Sequence, residues 1–588
     1  MKINIQNNSN GSFFSHFNKI QFNKRIYYFI VYITLISLNI SCGNKDKVDM
    51  SQDKEFRTFL NEIESKLKIA YNNYSEAYFE ATISGKQEDY TKYSNLEQNL
   101  NELYSNKEDF KKLKKFKDDN LLSNDTLKRA LIVLYNSYAG KQVDTNFLNK
   151  ISSLSSSIEN KFATFRAKYE GTKLSDNEIE NILKTETDSK KLENVWLAHK
   201  EIGNVVSKDI LQLVKLRNES AKQLGYKNYH QMNLILSEQD PDELEVFFDE
   251  LDNLTRNSFA KLKDEIDVFL AQKYNIDKSE LRPWHYNNRY FQEAPKIYDL
   301  DLDKYFEKVN IEKTTINFFN GIGTPIDDMV KKSDLYEKDG KYQHAYCIDI
   351  DRDKRDIRVV CNIVNNHSWM GTMLHEYGHA VYQKYVGENL PWSLKVPTHT
   401  FATEGIAMLY GRFATKSEWL YDMNIIDNEE ANKISEKCRK ILKLDQLVFS
   451  RWVQVVYRFE KEMYENPDQD LNKLWWELVE KYQMINKPDN RNSPDWATKI
   501  HIALYPCYYH NYLLGEIFAS QFYAHINNKV LGNKDNSFSS FVGKEKSAKF
   551  LVENVYVPAN LYHWKELIKN ATGEEFTPKY YAKEFGIK

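Results

Sequence analysis

The stretch TMLHEYGHAVYQKYV (372–386) places His375 and His379 four residues apart, with Glu376 beside the first. On a helix that spacing turns both imidazoles to one face. Two neutral rings there can bind a divalent metal, zinc above all, and the flanking carboxylate can take a proton from a water activated at the metal. The alternative is a solvated histidine pair on an ordinary amphipathic helix. Gly378 weighs against that alternative, because glycine inside a helix costs roughly 0.5–1 kcal/mol relative to alanine. It has a use there if another backbone or a substrate comes close.

A catalytic zinc needs a third protein ligand and an open fourth position. The continuation HxxGxxH is absent, since Gln383, Lys384 and Tyr385 follow His379. Downstream, THTFATEGIAMLYGRF (398–413) reads as a second helix entered through polar residues. A lone glutamate near a helix start is usually only a favourable partner for the helix dipole. Glu404, however, stands among Ala402, Thr403, Gly405 and Ala407, small enough for tight helix packing, and 25 residues after His379. It is the leading third ligand.

The elements that must position these groups are mostly helices. From Phe56 onward Leu60, Ile63, Leu67, Ala70 and Tyr74 keep three-to-four spacing, and similar patterns fill 90–170, 175–235 and 243–275. Gly140, Gly171 and Asp240-Pro241 mark loops. With 12 prolines and 20 glycines in 588 residues, long helices are expected. KKLKKFKDD (111–119) reads as a solvated helix face. YQHAYCID (342–349) and DIRVVCNIV (356–364) are β-like around the charged turn IDRDKR, a hairpin just ahead of the histidine helix. No composition shift divides 56–588, so a single mainly α domain with one small sheet is expected.

Net charge is −3, from 81 basic and 84 acidic residues, which argues against nucleic acid as a partner. Near the start, Lys19, Lys24 and Arg25 precede the apolar run IYYFIVYITLISLNI and then Ser41-Cys42-Gly43. This reads as an export signal over 1–41. Its end resembles a bacterial lipobox, with Cys42 lipidated, a polar tether over 42–55 and attachment to the cell-envelope membrane. An ordinary signal peptide or a short uncleaved anchor are the alternatives.

HEYGH followed by a glutamate helix resembles the gluzincins, and the wider chain resembles the angiotensin-converting enzyme (peptidyl-dipeptidase A) family. FLNEIESKLKIAYNNYSEAYFEA (59–81), LVKLRNESAKQLGYKNY (213–229), DIRVVCN (356–362), LWWELVEKYQ (474–483), TKIHI (498–502) and YYHNYLLGEIFASQF (508–522) carry the likeness in the family's order. It implies a helical peptidase domain divided by a deep central channel, working as a monomer on short peptides with one Zn²⁺. By the same resemblance His375, His379 and Glu404 bind the zinc and Glu376 is the general base. Lys499 holds the substrate's C-terminal carboxylate, His501 hydrogen-bonds the peptide, and Tyr512 stabilises the oxyanion. Tyr509 falls on a second tyrosine that helps bind the carboxylate, with Tyr508 a competitor because the loop after His501 is one residue longer than in the family. Cys347 and Cys361 fall where the family has a disulfide bracketing the hairpin.

The chain departs from the family in four places. The histidine after the first hairpin cysteine is Ile348, with His344 nearby. A carboxylate-binding glutamine has no clear match in RPWHYNNRYF (282–291), where Tyr286 is nearest. Asn511 replaces an arginine that binds chloride. Met408 replaces the acidic residue that orients a zinc histidine. The implied activity is release of C-terminal dipeptides. The rivals are a thimet-like oligopeptidase making internal cuts, a peptide-binding lipoprotein with a dead site, and a helical scaffold with an accidental motif.

Overall fold

The computed structural model describes residues 51–533 and 539–586. The export signal and Cys42 lie outside them. The first helix, α1 (Ser51–Ser84), begins inside the segment expected as tether and carries the apolar spacing read from Phe56. Helix α2 (Gln87–Tyr104) folds back against it. In the helix over Lys107–Asp119 only Leu113 is buried, so the lysines of KKLKKFKDD do face solvent.

The protein is mainly α, with two small two-stranded sheets among the described residues. One of these was not read from the sequence: β1 (Ala167–Tyr169) and β2 (Thr172–Leu174) turn at Gly171, whose φ of +81° suits glycine. A long helix, α3 (Ser189–Gln223), follows.

The expected hairpin forms from β3 (Tyr346–Asp351) and β4 (Asp356–Val360), antiparallel with an irregularity between Asp349 and Asp351. It starts four residues later than the β-like pattern, because the Tyr342 N–H is taken by the Thr82 carbonyl at the end of α1 (2.8 Å). Helix α1 covers one face of the hairpin. Glu76 accepts two hydrogen bonds of 3.0 Å from Arg358, and Phe79 packs on Ile350 and Val360.

The Cys347–Cys361 disulfide is not formed, and both residues are free thiols. The register explains this: Cys347 opposes Val359, so Cys361 is only its diagonal neighbour. Diagonal positions lie about 7–8 Å apart, whereas a disulfide spans Cα separations of roughly 4.4–6.8 Å.

Beyond the hairpin come α4 (His367–Lys384), α5 (Thr400–Gly411), α6 (Asn428–Glu465) and α7 (His510–His525). Asn366 caps α4 by accepting the Trp369 N–H at 2.8 Å. Among the described residues the apolar interior has two larger bodies besides the Phe79–Ile350–Val360 cluster. The smaller joins Phe56, Leu60 and Leu67 to Leu127, Leu134 and Trp392. The larger is built from the inner faces of α3 to α7 and their neighbours.

Helices α4, α5 and α7 touch through their smallest residues. A Cβ on Gly378 would lie 2.8 Å from the Cα of Ala407, and one on Gly405 would lie 2.9 Å from the Gly515 carbonyl. Both contacts are with backbone, which cannot swing aside. Replacing Gly378 with alanine would gain roughly 0.5–1 kcal/mol of helix propensity. Overpacking typically costs about 1–3 kcal/mol, so the clash wins. Gly378→Ala is therefore expected to lower the urea midpoint, and a variant as stable as wild type would refute the close approach of α4 and α5.

Candidate metal centre

Helix α4 presents His375 and His379 with ring centroids 4.9 Å apart, and α5 brings Glu404 up to them. The Nε2 of each histidine lies 3.7 Å from the same Glu404 oxygen, Oε2. One ligand atom from each residue falls within 4.8 Å of the others. In a tetrahedral site with bonds of ~2.1 Å, ligand atoms are about 3.4 Å apart. The three donors thus fit a zinc ion with little rearrangement, and their chemistry, two imidazoles and a carboxylate, suits it.

Burial sets the protonation of the group. It draws His375 down to about 4 and His379 well below its usual range, the neighbouring His375 adding to the second shift. Both rings are therefore neutral, ligand-ready imidazoles at pH 7. Burial pushes Glu404 up to about 7, against the nearby Tyr508 hydroxyl and with help from the charge of Glu516. It pushes Glu376, which is buried next to His375, up to about 8, with the charge of Glu404 adding.

Two of the three ligands have outer partners. His379 Nδ1 is 2.7 Å from Thr403 Oγ1, and the Tyr508 hydroxyl lies near enough to Glu404 to favour its ionised form. Such partners fix ring tautomer and carboxylate orientation. Neither was foreseen as one. Thr403 was read only as a small neighbour, and Tyr508 only as a rival to Tyr509.

The expected substrate residues cluster beside this centre. Lys499 is buried, and its Nζ lies 5.2, 5.4 and 5.7 Å from the ring centres of Tyr290, Tyr509 and Trp452. Its ammonium donates to Gln292 Oε1 at 2.6 Å, and no carboxylate pairs with it among the described residues. Burial pulls Lys499 down to about 8. Tyr509, not Tyr508, is thus the tyrosine beside the lysine. Gln292 directly follows RPWHYNNRYF (282–291). Tyr286, the nearest match there, is committed elsewhere: its hydroxyl bonds Lys263 (2.8 Å) and Asp267 (2.9 Å).

His501 packs against Tyr509 (5.2 Å) and Tyr505 (5.4 Å), and its Nδ1 is buried without a hydrogen-bond partner. Burial draws it down to about 4, with the charge of Lys499 next in effect and then that of His344. Tyr512 sits 5.4 Å from both Tyr508 and Tyr509. Its phenol is pushed up to about 12 by burial, so it keeps its proton. Asn511 accepts a hydrogen bond from Gln239 at 2.9 Å in the interior.

The loop from His501 to Tyr508 is held from behind. Arg217 of α3 donates to the Ala503 carbonyl at 2.8 Å, and the Cys507 N–H donates to Glu460 of α6 at 2.9 Å. Cys507 has a φ of +57°, a conformation unusual for a side-chain-bearing residue.

Comparison with known families gives two matches. Residues 50–282 match the family described as angiotensin-converting enzyme, and residues 332–587 match peptidase family M3. No curated protein matches the chain. Every metal ligand and the whole 499–512 segment fall within the second match.

Glu460 yields a stability test. Burial raises its carboxyl from 4.5 to about 8. Between those values the folded chain keeps a proton that the unfolded chain has lost, so stability falls as pH rises through this window. Glu460→Gln can still accept the Cys507 N–H and has no proton to lose. The variant is expected to gain on wild type from pH 5 to pH 8 in paired thermal melts. A pH-independent difference would contradict the neutral, buried Glu460.

Proposed function

The chain is an angiotensin-converting-enzyme-like gluzincin metallopeptidase, and we propose that it is a zinc enzyme that shortens small peptides by releasing C-terminal dipeptides. The observation that carries this reading is Lys499: a buried ammonium faced by one neutral amide and three aromatic rings. Such a group calls for an anion from outside the chain, and the free carboxylate of a peptide supplies it. The dipeptide length rests on the likeness of 498–512 to the family motif.

Zinc, when bound by His375, His379 and Glu404, supplies Lewis acidity toward a water and toward the scissile carbonyl. Glu376 takes the proton of the attacking water and passes it to the leaving nitrogen. Burial alone would keep Glu376 protonated at neutral pH. The positive charge of a zinc bound by its neighbours would favour the carboxylate, which in that dry setting is a stronger proton acceptor than an exposed glutamate. The Tyr512 phenol donates to the oxygen on which charge develops. His501 hydrogen-bonds the peptide near the cut, while Lys499, Gln292 and Tyr509 hold its terminus. The open edge of β3 lies ready to pair with an extended peptide.

The match of 332–587 to peptidase family M3 favours a second reading, internal cuts in short peptides. Product masses separate the two. On the first reading, amidating the C-terminus removes a charged hydrogen bond worth about 1.5–3 kcal/mol and lowers kcat/KM about ten- to hundredfold. Lys499→Ala erases that discrimination. Amidated peptides cut as fast as free ones would leave internal cleavage standing. In either case Glu376→Gln is expected to lower kcat/KM by about 10²–10⁴ with zinc content unchanged. Full activity in that variant would sink the assigned base.

A further inference from the structure

Each ligand of the centre should have an outer partner that fixes its orientation, and one is still to be found. His379 has Thr403 and Glu404 has Tyr508. The Nε2 of His375 faces Glu404, so its Nδ1 points away from the metal position. Among the described residues no side chain hydrogen-bonds that nitrogen directly. The position one turn after Glu404, which could have supplied a carboxylate, is Met408.

His375 and Glu376 border a cavity of about 370 Å³ together with Thr372, Met408, Arg412 and Glu516. The packing around it is close. A Cβ on Gly411 would lie 3.5 Å from the Cβ of His375, and one on Gly515 would lie 3.1 Å from the Met408 sulfur. Helix α7 therefore brings Glu516, the residue after Gly515, to the level of Met408 and Arg412. Arg412 anchors one carboxylate oxygen. Its Nε donates to Glu516 Oε2 at 2.8 Å, and its Nη2 donates to the same oxygen and to the Glu516 carbonyl. Arg412 is itself fixed by Ser520 (3.0 Å) and Glu584 (3.3 Å). Oε1 of Glu516 takes no hydrogen bond from any described residue, and Glu516 borders the same cavity as His375. The space holds several waters, and a bridging water is nearly as good a link as a direct bond.

We propose that Glu516 is the positioning residue for His375. Through a water in this cavity, its Oε1 accepts the proton of His375 Nδ1–H and so holds Nε2 as the metal-facing lone pair. The carboxylate that could have come from position 408 of α5 comes instead from α7, carried across by the Arg412 anchor. Glu516 touches neither substrate nor metal. Its effect passes through the imidazole.

The inference rests on the zinc reading above, so its test measures metal affinity rather than turnover. In Glu516→Gln, Arg412 still claims an oxygen, which turns the amide NH₂ toward the cavity. The bridging water then loses the anionic acceptor that oriented it and is free to turn, so the preference of His375 for carrying its proton on Nδ1 is weakened. Zinc affinity of the purified chain, measured by chelator competition, is expected to fall about 10- to 100-fold. The melting temperature of the metal-free protein is expected to fall, because Arg412 keeps its hydrogen bond but loses a buried ionic partner, so affinities are compared where both chains are fully folded. Met408→Asp in the Glu516→Gln background should recover most of the affinity by placing a carboxylate beside His375. Imidazole ¹⁵N shifts give an independent reading: one His375 tautomer in wild type, a mixture in Glu516→Gln.

Wild-type affinity and a single tautomer in Glu516→Gln would overturn the proposal. So would an affinity loss that tracks lost metal-free stability and is not restored by Met408→Asp, since that marks a structural role. A wild-type chain that binds no zinc overturns the functional reading first. A zinc-binding wild type beside an indifferent variant overturns only this one.

Discussion

Two imidazoles on one helix and a carboxylate on another reach a common point only if the two backbones nearly touch. Gly378 lies between the ligand positions of α4 and meets Ala407, one turn beyond Glu404. That contact sets Glu404 level with both rings. Gly405 then meets Gly515, which draws α7 behind α5. Because α7 starts at His510, its approach also carries in Tyr508 and Tyr512. Metal ligands, outer partners and phenols are thus fixed by two contacts between glycines and neighbouring backbones. A methyl group at either contact would have to move a helix rather than a side chain.

The second organising effect is desolvation, which acts on unlike groups in opposite senses. It keeps His375 and His379 neutral, raises the proton affinity of Glu376 and Glu404, and weakens the hold of Lys499 on its own proton. The histidines are thereby kept as neutral imidazoles, the form in which they can bind a metal. The same burial leaves Glu460 protonated behind the loop that carries the tyrosines. The chain accepts buried ionisable groups around the centre, each costing stability that the apolar interior must offset.

How much of this was legible depended on the range of the interaction. His375, His379 and Glu404 could be read because helical spacing and small neighbours are local signals, and the structure brings all three together. The hairpin was legible in kind, but its start was displaced by a hydrogen bond from Tyr342 to Thr82, far away in sequence. The disulfide followed a family likeness that the register of β3 and β4 does not support. Gln292 escaped because its meaning lies in Lys499, 207 residues later. Tyr286, by contrast, looked suitable and is absorbed by Lys263 and Asp267. Partner choice across such distances is written in the packing of helices, which no spacing rule reports.

Lys499 bears on where such an enzyme would cut. Its fall from 10.5 to about 8 corresponds to roughly 3 kcal/mol of lost preference for the charged form. A hydrogen bond to a charged partner returns about 1.5–3 kcal/mol, and one to a neutral carbonyl about 1. A peptide terminus can therefore offset most of the burial cost, whereas an internal segment offsets about a third. The remainder falls on any substrate that threads past without ending there. Because Lys499 can also shed its proton, that penalty is bounded rather than absolute. Gln292 moderates it further by always offering its oxygen. On the proposed reading, Lys499 would therefore favour chain ends by degree rather than absolutely.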